Sequence, residues 1–390
     1  MAARDAAVQR ALGMVDAQRV AELTLDLVRI RSYTGETVAA AEFYADHLSK
    51  LGLEVQVLRD FPRTPQVVAR LRGTGRGPTL ELNGHLDTVP IEHSEPRIAD
   101  GAVFGRGAAD MKGGLAAEVE AVRCLMEAGV RLRGDLLLTA HGLHEAPTGH
   151  GEDLSARMRR GPKGNAAIIA EGASDALLIA GLGMGIFEIT ISRPGQAIHE
   201  NSAPPGTPHP ILAANRLVTL IQERAAELAR VDLPYLGAES FFIGVFQSGD
   251  FYNRLPVSCR IVGTRRYAPE KSFDEVKAEL EGLARRVEAE TGAGVRVDFT
   301  KTRDGFRLAE DAAIVAALRA AYAGVAGREL PLQGWRSVAD APIFEKEGGV
   351  PAVYHSPGGE GAHADLESVR IADLVRAARV YLLTAVNFAG

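Results

Sequence analysis

Short strand-like apolar runs alternate with amphipathic helical segments through the first 170 residues, and this alternation is what most constrains the fold. Strands alternating with helices favour an α/β fold, in which a mostly parallel or mixed sheet is flanked by helices. Ligands of such sheets bind beyond the carboxyl ends of the strands, so polar residues there are the first candidates for a functional site. The predicted elements of this part are helices at 17–30, 38–51 and 115–128, and strands at 53–58, 67–71, 79–82, 136–139 and 166–170.

The middle of the chain has a different rhythm, β-α-β-β-α-β, which is the ferredoxin-like arrangement; one continuous α/β sheet is the alternative. A chain of 390 residues is also long for a single core. We therefore predict one domain from residues 1–182 and 301–390, with residues 183–300 inserted into it. The predicted elements of the insert are 185–192, 210–230, 241–247, 257–264, 272–291 and 295–299, and those that follow it are a helix from 311, a strand at 352–355 and a helix at 371–388.

Charge and composition exclude several classes of partner. The net charge of −6 gives no electrostatic reason to expect nucleic acid or an anionic membrane as a partner. The sequence has no apolar run long enough to span a bilayer, and its first residues do not resemble a secretory signal. Cys124 and Cys259 lie in apolar patterns, so we expect buried thiols in a reducing cytoplasm. The basic segment 157–163 is expected to be a solvated loop.

Five residues of metal-ligand type follow predicted strands or lie in glycine-rich turns: His85, Asp110, Glu145, Glu171 and His363. Zinc binds histidine nitrogen and carboxylate oxygen, and a catalytic site keeps one position open. Five ligands can hold two ions only if one ligand bridges them, and Asp110, between Gly107 and Gly113, suits that role. Asp87 is expected to hydrogen-bond the second nitrogen of His85. Each residue alone is a weak signal, and the joint pattern is much more specific.

Charge supports the same grouping. Four of the acidic candidates would place about four negative charges in one crevice, and two divalent ions would neutralise them. These acidic residues are Asp87, Asp110, Glu145 and Glu171.

Two segments, 83–90 and 105–114, resemble the family of co-catalytic zinc hydrolases that includes acetylornithine deacetylase, succinyl-diaminopimelate desuccinylase, aminoacylase and carboxypeptidase G. The resemblance covers almost the whole chain. It implies that His85, Asp110 and Glu171 hold one divalent ion. It implies that Asp110, Glu145 and His363 hold the other, and that the peptide bond after Asp110 is cis. Zinc is the expected metal, with cobalt and manganese as alternatives.

The same resemblance assigns roles to residues of the insert. The segment containing His199 resembles one whose histidine reaches the active site of a partner subunit, so a homodimer with the insert as its dimerisation lid is implied. Asn253 and Arg266 lie in segments that resemble the substrate-binding region. Arg336, beside Trp335, lies where the family has a loop facing the substrate, and its guanidinium suits a carboxylate.

The chain departs from the family at one position. Family members carry two consecutive glutamates at the third ligand-bearing turn, and the first is the general base; here that position is His144. Histidine can act as the base near neutral pH, it can ligate a metal, or the base can be lost.

The leading hypothesis is an amidohydrolase that acts on a small N-acylated amino acid or a related amide. In it a metal-bridging water is the nucleophile, His144 carries the proton and His199 of a partner stabilises the oxyanion. A hydrolytic deaminase, and a catalytically silent protein that binds metal or a small ligand, are the alternatives.

Overall fold

The computed structural model describes residues 2–146 and 148–390. The chain forms two compact units. The core unit comprises Met1–Ile179, Leu308–Gln333 and Ala339–Gly390, and the inserted unit comprises Ala180–Arg307 with Gly334–Val338. These units meet at 179/180 and 307/308, whereas the sequence suggested 182/183 and 300/301, and the short segment 334–338 also belongs to the inserted unit.

The helices are α1 (Ala2–Gly13), α2 (Ala17–Arg29), α3 (Val38–Lys50), α4 (Gly113–Glu127), α5 (Glu152–Arg160), α6 (Pro210–Leu228), α7 (Phe273–Thr291), α8 (Ala313–Ala326), α9 (Ala341–Gly348) and α10 (Ile371–Ala389), with an irregular turn at Ala108–Lys112 and a 3₁₀ turn at Glu200–Ser202. The strands are β1 (Glu54–Leu58), β2 (Gln66–Leu71), β3 (Leu80–His85), β4 (Arg97–Ala99), β5 (Ala102–Phe104), β6 (Leu136–His141), β7 (Ala166–Ile169), β8 (Leu177–Gly181), β9 (Gly183–Ser192), β10 (Ile198–His199), β11 (Ser240–Ser248), β12 (Arg254–Leu255), β13 (Ser258–Tyr267), β14 (Gly294–Arg303), β15 (Phe306–Arg307), β16 (Leu332–Trp335), β17 (Ala352–Tyr354) and β18 (Ser368–Arg370).

A mixed sheet forms the centre of the core unit, in the order β1-β2-β6-β3-β7-β17-β8. Strand β3 runs parallel to both β6 and β7, and β17 runs parallel to β7, while the strands outside this group are antiparallel. Every residue of β3, β6 and β7 is buried, as expected for strands covered on both faces. The carboxyl ends of these strands therefore meet at one edge of the sheet, and the α/β class predicted from the sequence is confirmed.

Helix α4 packs closely against this edge, and its first turns depend on glycine. A Cβ atom on Gly114 would lie 2.5 Å from the carbonyl oxygen of Ala170, so only glycine permits this approach of helix and sheet. The irregular turn that carries Asp110 leads directly into α4. The close packing therefore fixes where Asp110 lies relative to the strand ends.

The inserted unit is the ferredoxin-like fold expected from its pattern. Its sheet has the order β11-β13-β9-β14 with antiparallel neighbours, and α6 and α7 contribute to its apolar core. Helix α7 begins at a capping box, in which the Ser272 hydroxyl accepts the N–H of Glu275 and the Glu275 carboxylate accepts the N–H of Ser272.

The expectation that residues 157–163 form a solvated loop was wrong for residues 157–160, which belong to helix α5. Arg157 belongs to α5 and is buried, with its Nη2 2.7 Å from Glu81 Oε1. Glu81 lies on the fully buried strand β3, so its charge needs a buried cation, and the long side chain of Arg157 supplies one.

Among the residues described, no helix is long and apolar enough to cross a membrane. Cys124 and Cys259 are free and buried, as expected.

Candidate metal centre

The structure brings the five candidate ligands together at the carboxyl edge of the core-unit sheet. His85 ends β3, while Glu145 and Glu171 follow the ends of β6 and β7. Asp110 lies in the irregular turn before α4, and His363 lies in the glycine-rich loop between β17 and β18.

Asp110 lies between two histidines and presents a different oxygen to each. Its Oδ1 is 3.2 Å from His85 Nε2, and its Oδ2 is 3.3 Å from His363 Nε2. Burial raises the pKa of this carboxyl, but hydrogen bonds from His363 and His85 outweigh burial and hold the pKa well below its usual range. The Asp110–Met111 peptide bond is cis, as the resemblance implied. A carboxylate with its two oxygens divided between two ligand groups has the geometry of a bridging ligand.

The second group of donor atoms surrounds Glu145. Its Oε1 is 3.0 Å from His363 Nε2, and donor atoms of His85, Asp110 and Glu145 all lie within 4.8 Å of one another. His363 has a φ of +63°, a left-handed conformation uncommon for a residue other than glycine, in a loop with several positive-φ glycines. This backbone geometry accompanies an imidazole directed at Asp110 and Glu145.

Asp87 supports the centre differently from what the sequence suggested. The Nδ1 of His85 is 2.9 Å from the backbone carbonyl of Asp87, whereas the Asp87 carboxylate is farther away, with Oδ1 at 3.5 Å. The other carboxylate oxygen accepts the backbone N–H groups of His144, at 3.1 Å, and Glu145, at 2.8 Å. The main chain orients His85, and the carboxylate of Asp87 holds the turn that carries His144 and Glu145.

The residues of this centre fit divalent cations. Glu171 Oε2 is buried and has no hydrogen-bond partner within the described parts of the chain. Burial raises the pKa of Glu171 to about 7 in the metal-free protein. Unsatisfied buried carboxylate oxygens are costly, and a cation bound among them would remove that cost. Imidazole and carboxylate together are donors that suit zinc.

His144 lies at the same edge, beside His85 and Glu171. Its Nε2 is 3.6 Å from Glu171 Oε1, and its ring stacks on that of His85 with centroids 4.1 Å apart and planes 1° from parallel. Its Nδ1 is 2.7 Å from Asp340 Oδ2. Burial lowers the pKa of His144, but the negative charge of Asp340 outweighs burial and raises that pKa to about 9 in the metal-free protein.

Two buried carboxylates at the centre were missed by the sequence analysis. Asp340, just before α9, contacts both His144 and His141. Glu367 accepts the N–H groups of Gly107, Ala109 and Asp110 through Oε1, and its Oε2 is 2.8 Å from Arg106 Nη1. Neither carboxylate is part of a spacing motif, so only their positions in the folded chain associate them with the metal ligands.

The remaining candidates lie in the inserted unit and form two pairs. His199 Nε2 is 3.1 Å from Asn253 Nδ2, because the short strands β10 and β12 place the two segments side by side. A guanidinium N–H of Arg266 donates to the backbone carbonyl of Arg336. Burial, and then the positive charge of Arg336, lower the pKa of Arg266.

Comparison with known proteins identifies the family. The model of peptidase family M20/M25/M40 matches residues 82–387, so the chain belongs to that family and is a hydrolase. It is 26% identical to an N-formyl-4-amino-5-aminomethyl-2-methylpyrimidine deformylase of Halalkalibacterium halodurans, over 89% of this chain and 88% of the relative. It is also 26% identical to a succinyl-diaminopimelate desuccinylase of Methylobacterium radiotolerans, over 92% of this chain and 94% of the relative. The crystal structure of aminopeptidase PepT from Bacillus cereus shares its fold, with a TM-score of 0.82 and 21% identity, over 97% of this chain and all of that chain.

Proposed function

We propose that the chain is a two-metal amidohydrolase that cleaves the amide bond of a small N-acylated amino acid or a related amide. The observation that carries this proposal is Asp110, whose two oxygens face two separate histidines. His85, Asp110 and Glu171 would hold one ion, and Asp110, Glu145 and His363 the other. Bound zinc, cobalt or manganese would polarise the amide carbonyl and acidify water for attack on it.

Ligand atoms of His85, His144 and Glu171 lie within 4.8 Å of one another, but the stacking of the two rings favours His144 as a proton carrier over a second histidine ligand to the ion of His85. A metal lies in the plane of the imidazole that binds it, about 2.0–2.1 Å from the nitrogen. The rings of His85 and His144 are stacked in parallel planes, and stacked rings cannot approach much closer than about 3.5 Å. One ion therefore cannot lie in both planes. We infer that His85 binds the ion and that Nε2 of His144 takes and returns the proton.

The pairs in the inserted unit support an acylated amino acid as substrate. Arg266 and Arg336 carry neighbouring positive charges, which a substrate carboxylate would neutralise. His199 and Asn253 present polar groups suited to stabilising an oxyanion. The two relatives are named as a deformylase and a desuccinylase, and both names denote removal of an acyl group from an amine.

We also propose that the inserted unit forms a homodimer in which His199 serves the partner's active site. Strand β11 is an edge of its sheet, and Phe242 and Phe246 on that strand are exposed, 65% and 45% respectively. Large apolar side chains on an unpaired edge are typical of a surface that pairs with another copy. We expect this assembly in the cytoplasm, where the two free thiols stay reduced.

Zinc-loaded and metal-stripped protein should be compared on a panel of N-formyl, N-acetyl and N-succinyl amino acids and of N-formylated aminopyrimidines. We expect hydrolysis of at least one panel member by the loaded protein, no hydrolysis after stripping, and recovery on adding zinc back. Asp110→Asn should abolish both activity and binding of two zinc ions. Asp135→Asn is the matched control, because Asp135 is paired with Arg70 away from the centre. Zinc binding without hydrolysis of any substrate would instead favour the silent binding protein.

A further inference from the structure

We propose that Asp340 is a positioning residue, which fixes the tautomer of His144 so that the lone pair of Nε2 faces Glu171 and the metal ligands. This inference rests on the proposed function only for the role of His144. The fixed tautomer itself is a property of the folded chain.

The argument starts from the hydrogen bonds of the Asp340 carboxylate. Asp340 is buried, and its Oδ2 lies 2.7 Å from Nδ1 of His144 and 2.9 Å from Nε2 of His141. An ionised carboxylate only accepts hydrogen bonds, so both of these ring nitrogens must carry a proton. A neutral His144 then has its single lone pair on Nε2, the nitrogen that is 3.6 Å from Glu171 Oε1.

The other contacts of His144 leave its ring little freedom to turn. Its backbone N–H is held by Asp87, and one face of its ring is covered by His85 at a centroid distance of 4.1 Å. The hydrogen bond from Nδ1 of the ring to Asp340 then fixes the edge of the ring that does not carry Nε2. With backbone, face and edge all held, the imidazole is presented in one orientation and protonated on one nitrogen.

His141 fixes the carboxylate in turn. It ends β6 and is paired in register with His85 at the end of β3, so its backbone is held by the sheet. Its Nε2–H donates to the same oxygen that accepts from His144, which holds Oδ2 in place between the two imidazoles. In place of the glutamate base that the resemblance to the family implies, the site has a histidine and a carboxylate that orients it.

The prediction concerns the protonation of a ring nitrogen, so it can be measured without an activity assay. In zinc-loaded protein labelled with ¹⁵N-histidine, we expect the His144 signal to be that of a ring protonated on Nδ1. The signal is assigned by its absence in His144→Gln. A His144 ring protonated on Nε2 in the wild-type protein would overturn the proposal without any Asp340 variant having to fold.

The variant Asp340→Asn tests whether Asp340 is what sets the tautomer of His144. Its amide offers one oxygen to two imidazole N–H groups and adds an N–H₂ donor, so His144 should become at least partly protonated on Nε2. We expect kcat to fall at least tenfold, with KM within about twofold and two zinc ions still bound, because a misprotonated ring cannot accept the proton. Asp340→Glu should restore part of both the tautomer and kcat.

Asp153→Asn is the matched control, since Asp153 is another buried carboxylate beside the same turn and accepts the N–H of Gly142. It should lower stability and leave the His144 tautomer unchanged. An Asp340→Asn protein with unchanged tautomer and kcat would refute the proposal. If the wild type hydrolysed nothing, the proposed function would fail, while the tautomer of His144 would still be read from the same ¹⁵N signal.

Discussion

At the residue scale, the contacts of His144 predict that its loss lowers catalytic turnover without lowering metal content. His144→Ala should lower turnover by about 10²–10⁴-fold, the usual contribution of a general base. Zinc content should be unchanged, because His85 and Glu171 keep their donor atoms. Metal analysis and steady-state kinetics on the same preparation test this, with the exposed His150→Ala as control.

Two results would contradict that account. Near-normal turnover would place the base elsewhere, and loss of one zinc ion would make His144 a ligand. His144→Glu introduces another residue that can act as a base, and it separates a lost base from a lost fold if His144→Ala is inactive.

A second prediction at the residue scale concerns acid stability and His355. This ring packs between Tyr322 and Tyr381, with both centroid distances 5.8 Å, and burial lowers its pKa to about 3. In the unfolded chain the His355 side chain takes up a proton near pH 6.5, whereas in the folded protein it does not. The contribution of His355 to the free energy of unfolding is therefore fully present above pH 6.5. It is lost as the pH falls toward 3, by up to about 1.4 kcal/mol per pH unit.

Urea unfolding of His355→Phe between pH 7 and 4 should give a shallower decline in unfolding free energy than the wild type shows. His209→Phe is the control, because His209 is only half-buried and lies just before α6 in the inserted unit. Parallel declines in wild type and His355→Phe would mean that the ring does not stay neutral in the folded protein.

At the element scale, one carboxylate links the two loops that carry Asp110 and His363. Glu367 accepts three backbone N–H groups of the Asp110 turn, pairs with Arg106, and lies four residues after His363. Glu367→Gln keeps one acceptor oxygen but turns an amide N–H₂ toward Arg106. We expect a loss of about 3 kcal/mol in stability and a 10–100-fold loss in zinc affinity.

Zinc titration and urea unfolding check this, with Glu360→Gln as control because Glu360 is an exposed residue of the same loop. Lower stability with unchanged zinc affinity would show that the turn holds Asp110 in place without Glu367.

At the scale of the whole molecule, the exposed edge of the inserted unit predicts the state of assembly. Phe242→Asp on β11 should convert the proposed dimer to a monomer, because it places charge in an apolar contact. Light scattering at micromolar concentration gives the mass directly. Leu212→Asp is the control, since Leu212 is exposed on α6 and not on the edge strand. A wild-type monomer with full activity would refute the shared active site.

The sequence by itself determined the α/β class, the ferredoxin-like order of the insert and the candidate ligands. Hydrophobic periodicity is local, so β3, β6 and α7 were found close to their true bounds. Glycine-rich turns after strands likewise marked His85, Asp110 and His363. Helix α5 was missed because its arginines suggested solvent, whereas Arg157 is paired with Glu81, 76 positions earlier in the chain.

Only the tertiary structure decided which groups surround His144. Asp340 and His144 are 196 positions apart, and Glu367 and Asp110 are 257 apart, so no spacing along the chain connects them. The role of Asp87 also depended on the fold, because its carboxylate reaches the N–H groups of a turn on another strand. Local pattern identifies a ligand by type, but which nitrogen of a histidine carries its proton depends on the residue packed against it.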